Sequence, residues 1–357
     1  MNSNKYIKGR GAQQKVHNRF SEHQHEIRDD FLNYCLEQRE SIHKYQTEYI
    51  DIFPKTVVNK VTSPDVGMMY SLNPYQGCEH GCVYCYARNS HEYWGYGAGL
   101  DFESKILIKK NAPELLEKKI KHKNWKAYPI SLSGNTDCYQ PVEKKLQITR
   151  KLLEVFLKYK HPVGIITKNA LIQRDIDILS ELAKDNLVGV FLSITSLQEK
   201  TRRILEPRTA SIKKRLETLE KLNQAGIPTS VMMAPIIPSI NSHEILPLAE
   251  EISKRGAKSL GYTVVRLNGA IGKIFTSWLE NTLPDRKEKI LNQIMQCHEG
   301  NLNDSEFGRR MKGSGNIATQ IHQLFALARK KYFPKTEKMH LNCDLHDQYK
   351  DGQYKLF

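Results

Sequence analysis

The chain has 357 residues, a formal net charge of +15 and 39% hydrophobic residues. Its negative mean hydropathy and lack of a long apolar run argue against a membrane span, and the polar start MNSNKYIKGRGAQQK argues against a signal peptide. We therefore expect a globular cytoplasmic protein, in which clustered cysteines indicate metal binding or catalysis rather than disulfides. The excess of 54 Lys and Arg over 39 Asp and Glu favours a nucleic-acid partner, although a lysine-rich solvated surface explains it equally well.

Composition divides the chain into three regions. Residues 1–64 form a polar extension with the basic glycine motif KGRGA at 8–12 and a helix-like stretch at 29–45. Residues 65–275 alternate short apolar runs with helical patterns, which is typical of a folded α/β core. Residues 276–357 form a helical C-terminal region with a short tail.

The central region contains six predicted strands. They share short apolar runs bounded by turns and lie at 67–72, 128–133, 163–167, 188–194, 229–234 and 258–265. Helical periodicity fills most intervals, at 112–120, 142–159, 174–185, 211–226 and 242–256, and recurs at 317–333. This alternation indicates βαβ crossovers and a parallel sheet. Because no Rossmann glycine fingerprint is present, we predict a partial (β/α)6 barrel, with ligands at the C-terminal ends of the strands.

A cysteine array follows the first predicted strand. The segment NPYQGCEHGCVYCY places Cys78, Cys82 and Cys85 in a C-x3-C-x2-C spacing. A structural zinc site needs four nitrogen or sulfur ligands, so His80, His91 or a distant cysteine would have to supply the fourth. Alternatively, three thiolates can hold three irons of a [4Fe–4S] cluster and leave the fourth iron open to a ligand. The residues alone leave both alternatives open.

The array, with Tyr84 and Tyr86 flanking its last cysteine, resembles the signature loop of the radical S-adenosylmethionine (SAM) superfamily. The resemblance implies a [4Fe–4S] cluster on Cys78, Cys82 and Cys85, with SAM bound at the open iron and both tyrosines near the cofactor. In that superfamily, a reductant such as a flavodoxin or ferredoxin supplies one electron to the cluster. SAM is then cleaved to methionine and a 5′-deoxyadenosyl radical, which abstracts a hydrogen atom from the substrate. The protein positions the cofactor and excludes water and oxygen.

The second predicted strand ends in SLSGNTDCYQP, where superfamily members carry a small-residue motif that receives the SAM amino group. The backbone of Ser133, Gly134 and Asn135 is the candidate for that contact, because glycine lets a ligand approach closely. Thr136 and Asp137 are candidates to hydrogen-bond the SAM ammonium or ribose. A turn with side-chain capping explains the same residues without a ligand.

Further candidates end the third and fourth strands. Lys168, in IITKN, is either a partner of the SAM carboxylate or a surface lysine. Ser193 and Thr195, in FLSITS, are either ribose or carboxylate contacts or a solvated strand end. Arg208, in LEPRTAS, is either a carboxylate clamp or the partner of Glu206 in an internal bridge.

Within the superfamily, residues 65–270 resemble the spore photoproduct lyase-like, or DNA repair photolyase-like, branch. KGRGA and FGRRMKG (307–313) resemble marks of one group of that branch whose function is uncharacterised. The parent enzyme reverses a thymine dimer and uses a cysteine to return a hydrogen atom, and that cysteine aligns near Gly134. Cys138 is the candidate substitute donor, with a buried structural thiol as the alternative.

The remaining cysteines, Cys35, Cys297 and Cys343, are isolated, which indicates a single cluster. We therefore predict a single-cluster radical SAM enzyme, with a lyase- or transferase-type reaction on nucleic acid, DNA rather than RNA, in repair or modification. A radical SAM enzyme acting on a peptide or small molecule is one alternative. A non-catalytic, metal-stabilised nucleic-acid-binding module is another.

The chain ends in DGQYKLF. Gln353, Leu356 and Phe357 resemble the short bacterial sliding-clamp binding motif, in which a glutamine and terminal hydrophobic residues fill adjacent pockets. A tail that packs on its own domain is the alternative. A clamp partner would favour DNA as the substrate.

Overall fold

The computed structural model describes residues 6–21, 46–334 and 339–350. In these ranges the strands are β1 (Glu48–Ile52), β2 (Val58–Lys60), β3 (Tyr70–Leu72), β4 (Tyr75–Gln76), β5 (Lys105–Lys109), β6 (Ile130–Leu132), β7 (Val163–Thr167), β8 (Val188–Ser193), β9 (Thr229–Ile236) and β10 (Leu260–Val264). The predicted helix-like stretch at 29–45 lies outside the described residues.

The α-helices of the same ranges surround the strands. They are α1 (Leu100–Ser104), α2 (Ala112–Ile120), α3 (Glu143–Leu146), α4 (Ile148–Lys158), α5 (Ile176–Lys184), α6 (Glu199–Leu205), α7 (Ile212–Gln224), α8 (Ile245–Lys254), α9 (Ala270–Thr282), α10 (Lys287–Gln296), α11 (Gly315–Tyr332) and α12 (His346–Tyr349). A 3-10 helix, Tyr86–Trp94, directly follows the cysteine array. None of the helices in the described ranges is both long and apolar enough to cross a membrane.

The main sheet has seven strands in the order β2-β3-β6-β7-β8-β9-β10. Every pair from β3 to β10 is parallel, and β2 adds an antiparallel edge. The six parallel strands are the six predicted ones, and with their helices they form a partial (β/α)6 barrel, so the predicted fold class is confirmed. Because the strands are parallel, all six C-terminal ends lie at one edge of the sheet.

The apolar strands of the middle of the sheet form the centre of the core. Ile165, Val190 and Leu192 are fully buried, since helices cover the outer face of the sheet. Helix α7 ends as expected just before Gly226, which has a φ of 75°, a conformation that glycine adopts without steric cost. Burial of this kind stabilises the sheet that carries the loops of the site.

Two features of the fold differ from the predicted elements. A second sheet, β1-β5-β4, was not predicted, and it places a strand of the polar N-terminal region beside the segment KILIK. The predicted helix 142–159 was wrong as a single helix, because Gln147 adopts a left-handed conformation with a φ of 53° between α3 and α4. The buried Glu143 carboxylate accepts a hydrogen bond from the Thr149 amide (3.0 Å) across that break, a contact that periodicity does not encode.

The FGRRMKG segment links the two edge strands of the main sheet. The Met311 carbonyl accepts a hydrogen bond from the amide of Val264, the last residue of β10 (2.9 Å). The Gly308 amide and the Arg310 guanidinium donate to Asp65, in the loop between β2 and β3. The segment therefore spans the opening that a partial barrel leaves between its first and last strands.

The C-terminal described segment covers the opposite end of the barrel. The Asn342 amide donates to the Asn186 carbonyl (2.9 Å), just before β8, and the Lys350 ammonium donates to the Trp125 carbonyl (2.6 Å), ahead of β6. These contacts lie at the N-terminal ends of the strands, away from the cysteine array. The clamp-like residues Gln353–Phe357 lie outside the described residues.

Candidate cluster and cofactor site

The cysteine array lies in a buried loop that follows the C-terminal end of β3. Cys78 and Cys82 are 7% and 6% exposed, and Cys85 is half-buried at the start of the 3-10 helix. Burial and the neighbouring Cys78 raise the pKa of Cys85 to about 11, and burial and Glu206 raise the pKa of Cys82. Only the thiolate form of cysteine binds metal, so a metal would have to displace the protons of these thiols. Its positive charge would then compensate the negative charge of the clustered thiolates.

Backbone and arginine contacts fix this loop. The Cys78 amide donates to the Phe102 carbonyl (2.8 Å). The buried Arg88 guanidinium donates to the Cys82 carbonyl through Nε (3.0 Å) and Nη2 (2.9 Å) and forms an ion pair with Glu103. The backbone between the thiols is thus held without using any thiol as a hydrogen-bond donor in these contacts.

The two histidines considered as a fourth zinc ligand differ in their surroundings. Burial opposes the charged form of His80, but Asp137, with its Oδ2 3.3 Å from His80 Nδ1, raises the pKa of that imidazole to about 10. His91 packs between Tyr96 and Phe102, and burial lowers its pKa to about 4. In the described ranges, no group of three or more His, Cys, Asp or Glu side chains converges as a single-ion site. His80 is already engaged by Asp137, so a tetrahedral zinc would have to take its fourth ligand elsewhere. A [4Fe–4S] cluster needs only the three thiolates and leaves its fourth iron open.

The segment after β6 is tied to the start of the cysteine loop. The Asn135 and Thr136 amides both donate to Asn73 Oδ1 (2.9 and 3.1 Å), and Tyr86 donates from its hydroxyl to the Gly134 carbonyl. Ser133 and Gly134 have φ values of 74° and 143°, so the chain turns sharply where it approaches this loop. Only glycine readily adopts the φ of Gly134. A Cβ at this position would have room, since its nearest neighbour, Ser71, would be 3.7 Å away.

Asp137 connects three of these loops. Its carboxylate accepts hydrogen bonds from the Thr167 hydroxyl and the Lys168 amide, both at 2.8 Å, and lies beside His80. Burial alone would raise the pKa of Asp137, but His80 and these hydrogen bonds hold it below its ordinary value. The residue thus aligns the ends of β6 and β7 with the cysteine loop.

Glu206 is the centre of a buried charged group that we call the Glu206 cluster: Glu206, Tyr84, Lys168, Thr195 and Arg215. Its carboxylate accepts hydrogen bonds from the Tyr84 hydroxyl, Thr195 Oγ1 (2.9 Å) and Arg215 Nη2 (2.5 Å), and Lys168 Nζ lies 3.4 Å away. Burial alone would raise the pKa of Glu206, but Arg215 and Lys168 outweigh it and hold the carboxylate ionised. Three predicted cofactor contacts thus converge on one carboxylate.

The arginine partner of Glu206 is Arg215, on α7, rather than Arg208. Arg208 is exposed, and its backbone amide donates to the His80 carbonyl (3.2 Å) in the cysteine loop. Sequence reasoning missed Arg215, since an arginine in an amphipathic helix carries no local signal. Ser193 is 5% exposed and its carbonyl accepts from Arg215 (3.0 Å), so the end of β8 is not a solvated strand end.

Cys138 lies in the main hydrophobic core. Its side chain is fully buried, its amide donates to Ser133 Oγ (2.9 Å), and its carbonyl accepts from Thr149 Oγ1 (2.6 Å). Burial raises the pKa of this thiol well above its ordinary value. These surroundings are those of a packed structural thiol.

The fold and the loop define a class of protein. The family model of the radical SAM superfamily matches residues 72–252, which begin at the last residue of β3 and include the cysteine array and the parallel strands β6 to β9. The chain therefore belongs to the radical SAM superfamily. KGRGA and FGRRMKG lie outside the matched residues.

Similar sequences occur in an archaeon, a bacterium and a phage. An uncharacterized protein of Methanocaldococcus jannaschii is 31% identical over 246 residues, covering 69% of this chain and 88% of that protein. An uncharacterized protein of Mycobacterium tuberculosis is 28% identical over 238 residues, covering 66% and 70%. A radical SAM Nalpha-GlyT isomerase of Pseudomonas phage M6 is 24% identical over 173 residues, covering 48% and 34%.

Solved structures of spore photoproduct lyase share the fold. The lyase complexed with dinucleoside spore photoproduct superposes with a TM-score of 0.61 at 16% identity and covers 80% of both chains. A mutant of that lyase with bound AdoMet and the dinucleoside gives a TM-score of 0.60 at 14% identity and covers 82% of both chains. At 14–16% sequence identity, these superpositions show that this chain and the lyase share the same fold.

Proposed function

We propose that this protein holds a [4Fe–4S] cluster on Cys78, Cys82 and Cys85 and cleaves SAM to abstract a hydrogen atom from a nucleic acid. The observation that carries this proposal is the meeting of three elements at the C-terminal ends of the strands. They are the buried cysteine loop, the turn at 133–137 and the Glu206 cluster. The bound cluster would supply the electron for reductive cleavage of SAM. The electron would come from a cytoplasmic flavodoxin or ferredoxin.

The residues of this chain then bind and orient SAM. The carbonyls of Ser133 and Gly134, at the turn after β6, would accept hydrogen bonds from the SAM amino group. Lys168, whose side chain is 16% exposed, has its ammonium 3.4 Å from the Glu206 carboxylate and would pair with the SAM carboxylate. Tyr84 holds the loop against Glu206, while the exposed Tyr86 borders the cofactor.

The other candidate residues are assigned by their surroundings. Asn135, Thr136 and Asp137 position the turn that receives the cofactor, through the hydrogen bonds to the neighbouring loops. The complete burial of Cys138 favours a structural role for its thiol over a role as the donor that returns a hydrogen atom to the substrate.

The proposed nucleic-acid substrate is supported by the net charge of the chain and by its structural similarity to spore photoproduct lyase. The net charge of +15 favours a polyanion. The structural neighbour is bound to a dinucleoside photoproduct, and we carry that substrate class over as DNA repair or modification. The clamp-like tail Gln353–Phe357 would bring the enzyme to DNA, as part of the same proposal.

Anaerobic reconstitution tests the chemistry. With iron, sulfide, dithionite and SAM, we expect a brown protein that releases 5′-deoxyadenosine, detected by liquid chromatography and mass spectrometry. Deuterium transfer into 5′-deoxyadenosine from labelled DNA, RNA or peptide pools would identify the substrate. A protein that binds about one zinc per chain and leaves SAM intact would refute the enzyme and favour a binding module.

Binding to nucleic acid is expected to depend strongly on salt. Because Lys and Arg release counterions from phosphates, the affinity for a DNA oligonucleotide should fall at least about tenfold between about 50 and about 200 mM salt. Fluorescence anisotropy measures this, with polyglutamate as a control for unspecific polyanion binding. An affinity that does not change with salt, or no binding, would favour a small-molecule or peptide substrate.

A further inference from the structure

The KGRGA motif packs directly on the cysteine loop. The Gly11 and Ala12 amides donate to the Glu103 carboxylate (3.1 and 2.8 Å). A Cβ at Gly11 would lie 1.8 Å from the Gly81 carbonyl oxygen, a distance at which any side chain would force the two backbones apart. Gly81 separates His80 from Cys82, so this contact bears on the part of the loop between the first two thiols.

Glu103 transmits the contact to Cys82. Its side chain is completely buried and pairs with Arg88, which donates two hydrogen bonds to the Cys82 carbonyl. A Cβ at Gly81 would lie 2.7 Å from the Glu103 carboxylate, so the loop is in close contact with Glu103 as well as with Gly11. A continuous set of buried contacts thus runs from the motif to the middle thiol ligand.

The following residues continue along the same surface. Cβ atoms at Gly97 and Gly99 would meet the carbonyls of Val16 (2.3 Å) and Gln14 (2.4 Å). Farther on, the Asn18 side-chain amide donates to the Glu92 carbonyl (2.8 Å). Residues 8–18 therefore lie against residues 81–103 along their length, although they are distant in sequence.

We propose that residues 8–18 form an N-terminal strap that positions the backbone around Cys82 and restricts opening of the cluster loop. This inference rests on the proposed function in one respect, that Cys78, Cys82 and Cys85 are the cluster ligands. The strap acts on the protein backbone, so it also restricts the loop of the cluster-free chain. Its residues are positioning residues, since they touch the loop and not the ligand atoms.

Site-specific alkylation of the cluster-free chain tests the strap. Iodoacetamide reaches a buried thiol only when the loop opens, so its rate reports that local opening. Gly11→Ala should speed alkylation of Cys82 about tenfold. The fully buried Cys297, which belongs to a different hydrophobic cluster from the strap residues, should be alkylated at an unchanged rate. Gly67→Ala is the matched control, because no atom lies within 4 Å of a Cβ at Gly67.

Asn18→Ala is the second variant, which loosens the far end of the strap without altering its contact with Gly81. It should speed alkylation of Cys82 about threefold. Equal Cys82 rates in the Gly67→Ala, Gly11→Ala and Asn18→Ala chains would overturn the inference. An equal increase at Cys297 would overturn it as well, because the substitutions would then destabilise the whole fold. If Gly11→Ala does not fold, the Asn18→Ala comparison decides.

Iron loss from the reconstituted protein provides a second measurement. An iron chelator should remove iron about tenfold faster from Gly11→Ala than from the wild-type or Gly67→Ala protein. Equal rates of iron loss would contradict the strap. If the wild-type chain assembles no cluster, the proposed function fails, while the alkylation of the cluster-free chain still decides whether the strap restricts the loop.

Discussion

Cys82→Ala is expected to abolish cluster assembly and SAM cleavage together. Cys82 is the middle of three thiols in a buried loop, and without it two thiolates remain for a cluster that already leaves one iron open. Iron and sulfide content should fall to background, and release of 5′-deoxyadenosine should decrease more than about a hundredfold. Metal analysis, visible absorbance and the deoxyadenosine assay measure the three effects on one preparation.

Cys343→Ser is the matched control for this substitution. Cys343 is half-buried in the C-terminal segment, on the opposite end of the barrel from the cysteine loop. The variant should retain iron, sulfide and activity at the wild-type level. A Cys82→Ala protein with unchanged iron content and activity would contradict the assignment of the cluster ligands.

Glu206→Gln is expected to lower the free energy of unfolding by about 3–5 kcal/mol, because it leaves a buried arginine and lysine without their carboxylate. The side chains of Glu206 and Arg215 are both 0% exposed, so water cannot replace the lost partner. Chemical denaturation of the cluster-free chain measures the effect without interference from iron. Weaker SAM binding should accompany it, since Lys168 and Tyr84 lose their common partner.

The same residue predicts a pH dependence. Since the pKa of Glu206 is lower in the folded than in the unfolded chain, its contribution is fully present above the ordinary glutamate range. That contribution decreases as the pH falls through and below that range, toward the folded pKa. Acidification should therefore narrow the stability difference between wild type and Glu206→Gln, as measured by denaturation at several pH values.

Glu217→Gln is the control for the buried pair. Glu217 lies on α7, 4.0 Å from Lys213, and its side chain is 45% exposed. Exposed pairs of this kind contribute little, so the change should stay below about 0.5 kcal/mol. Similar losses of stability in the two variants would mean that the Glu206 cluster is not the source of the effect.

Local signals were sufficient for the parallel strands of the sheet. The predicted strands are short apolar runs, and the burial on both faces that such a composition indicates is found at Val188–Ser193, where five of the six residues are buried. The spacing of Cys78, Cys82 and Cys85 is likewise local and indicated a metal site, while the choice between zinc and an iron–sulfur cluster came from the resemblance to the radical SAM signature. The order of strands followed because consecutive βα units pack beside each other.

The partners of the polar residues depended on the tertiary structure. Glu206 meets Arg215 and Tyr84, and Glu103 meets the Gly11 amide 92 residues away, through contacts that no periodicity encodes. The sequence by itself therefore determined the barrel class and the cysteine array, because periodicity and spacing act between neighbours. Only the tertiary structure decided which buried charges form pairs and which N-terminal residues lie on the cysteine loop. The reason is that a buried polar group pairs with whatever partner the fold brings within hydrogen-bond distance.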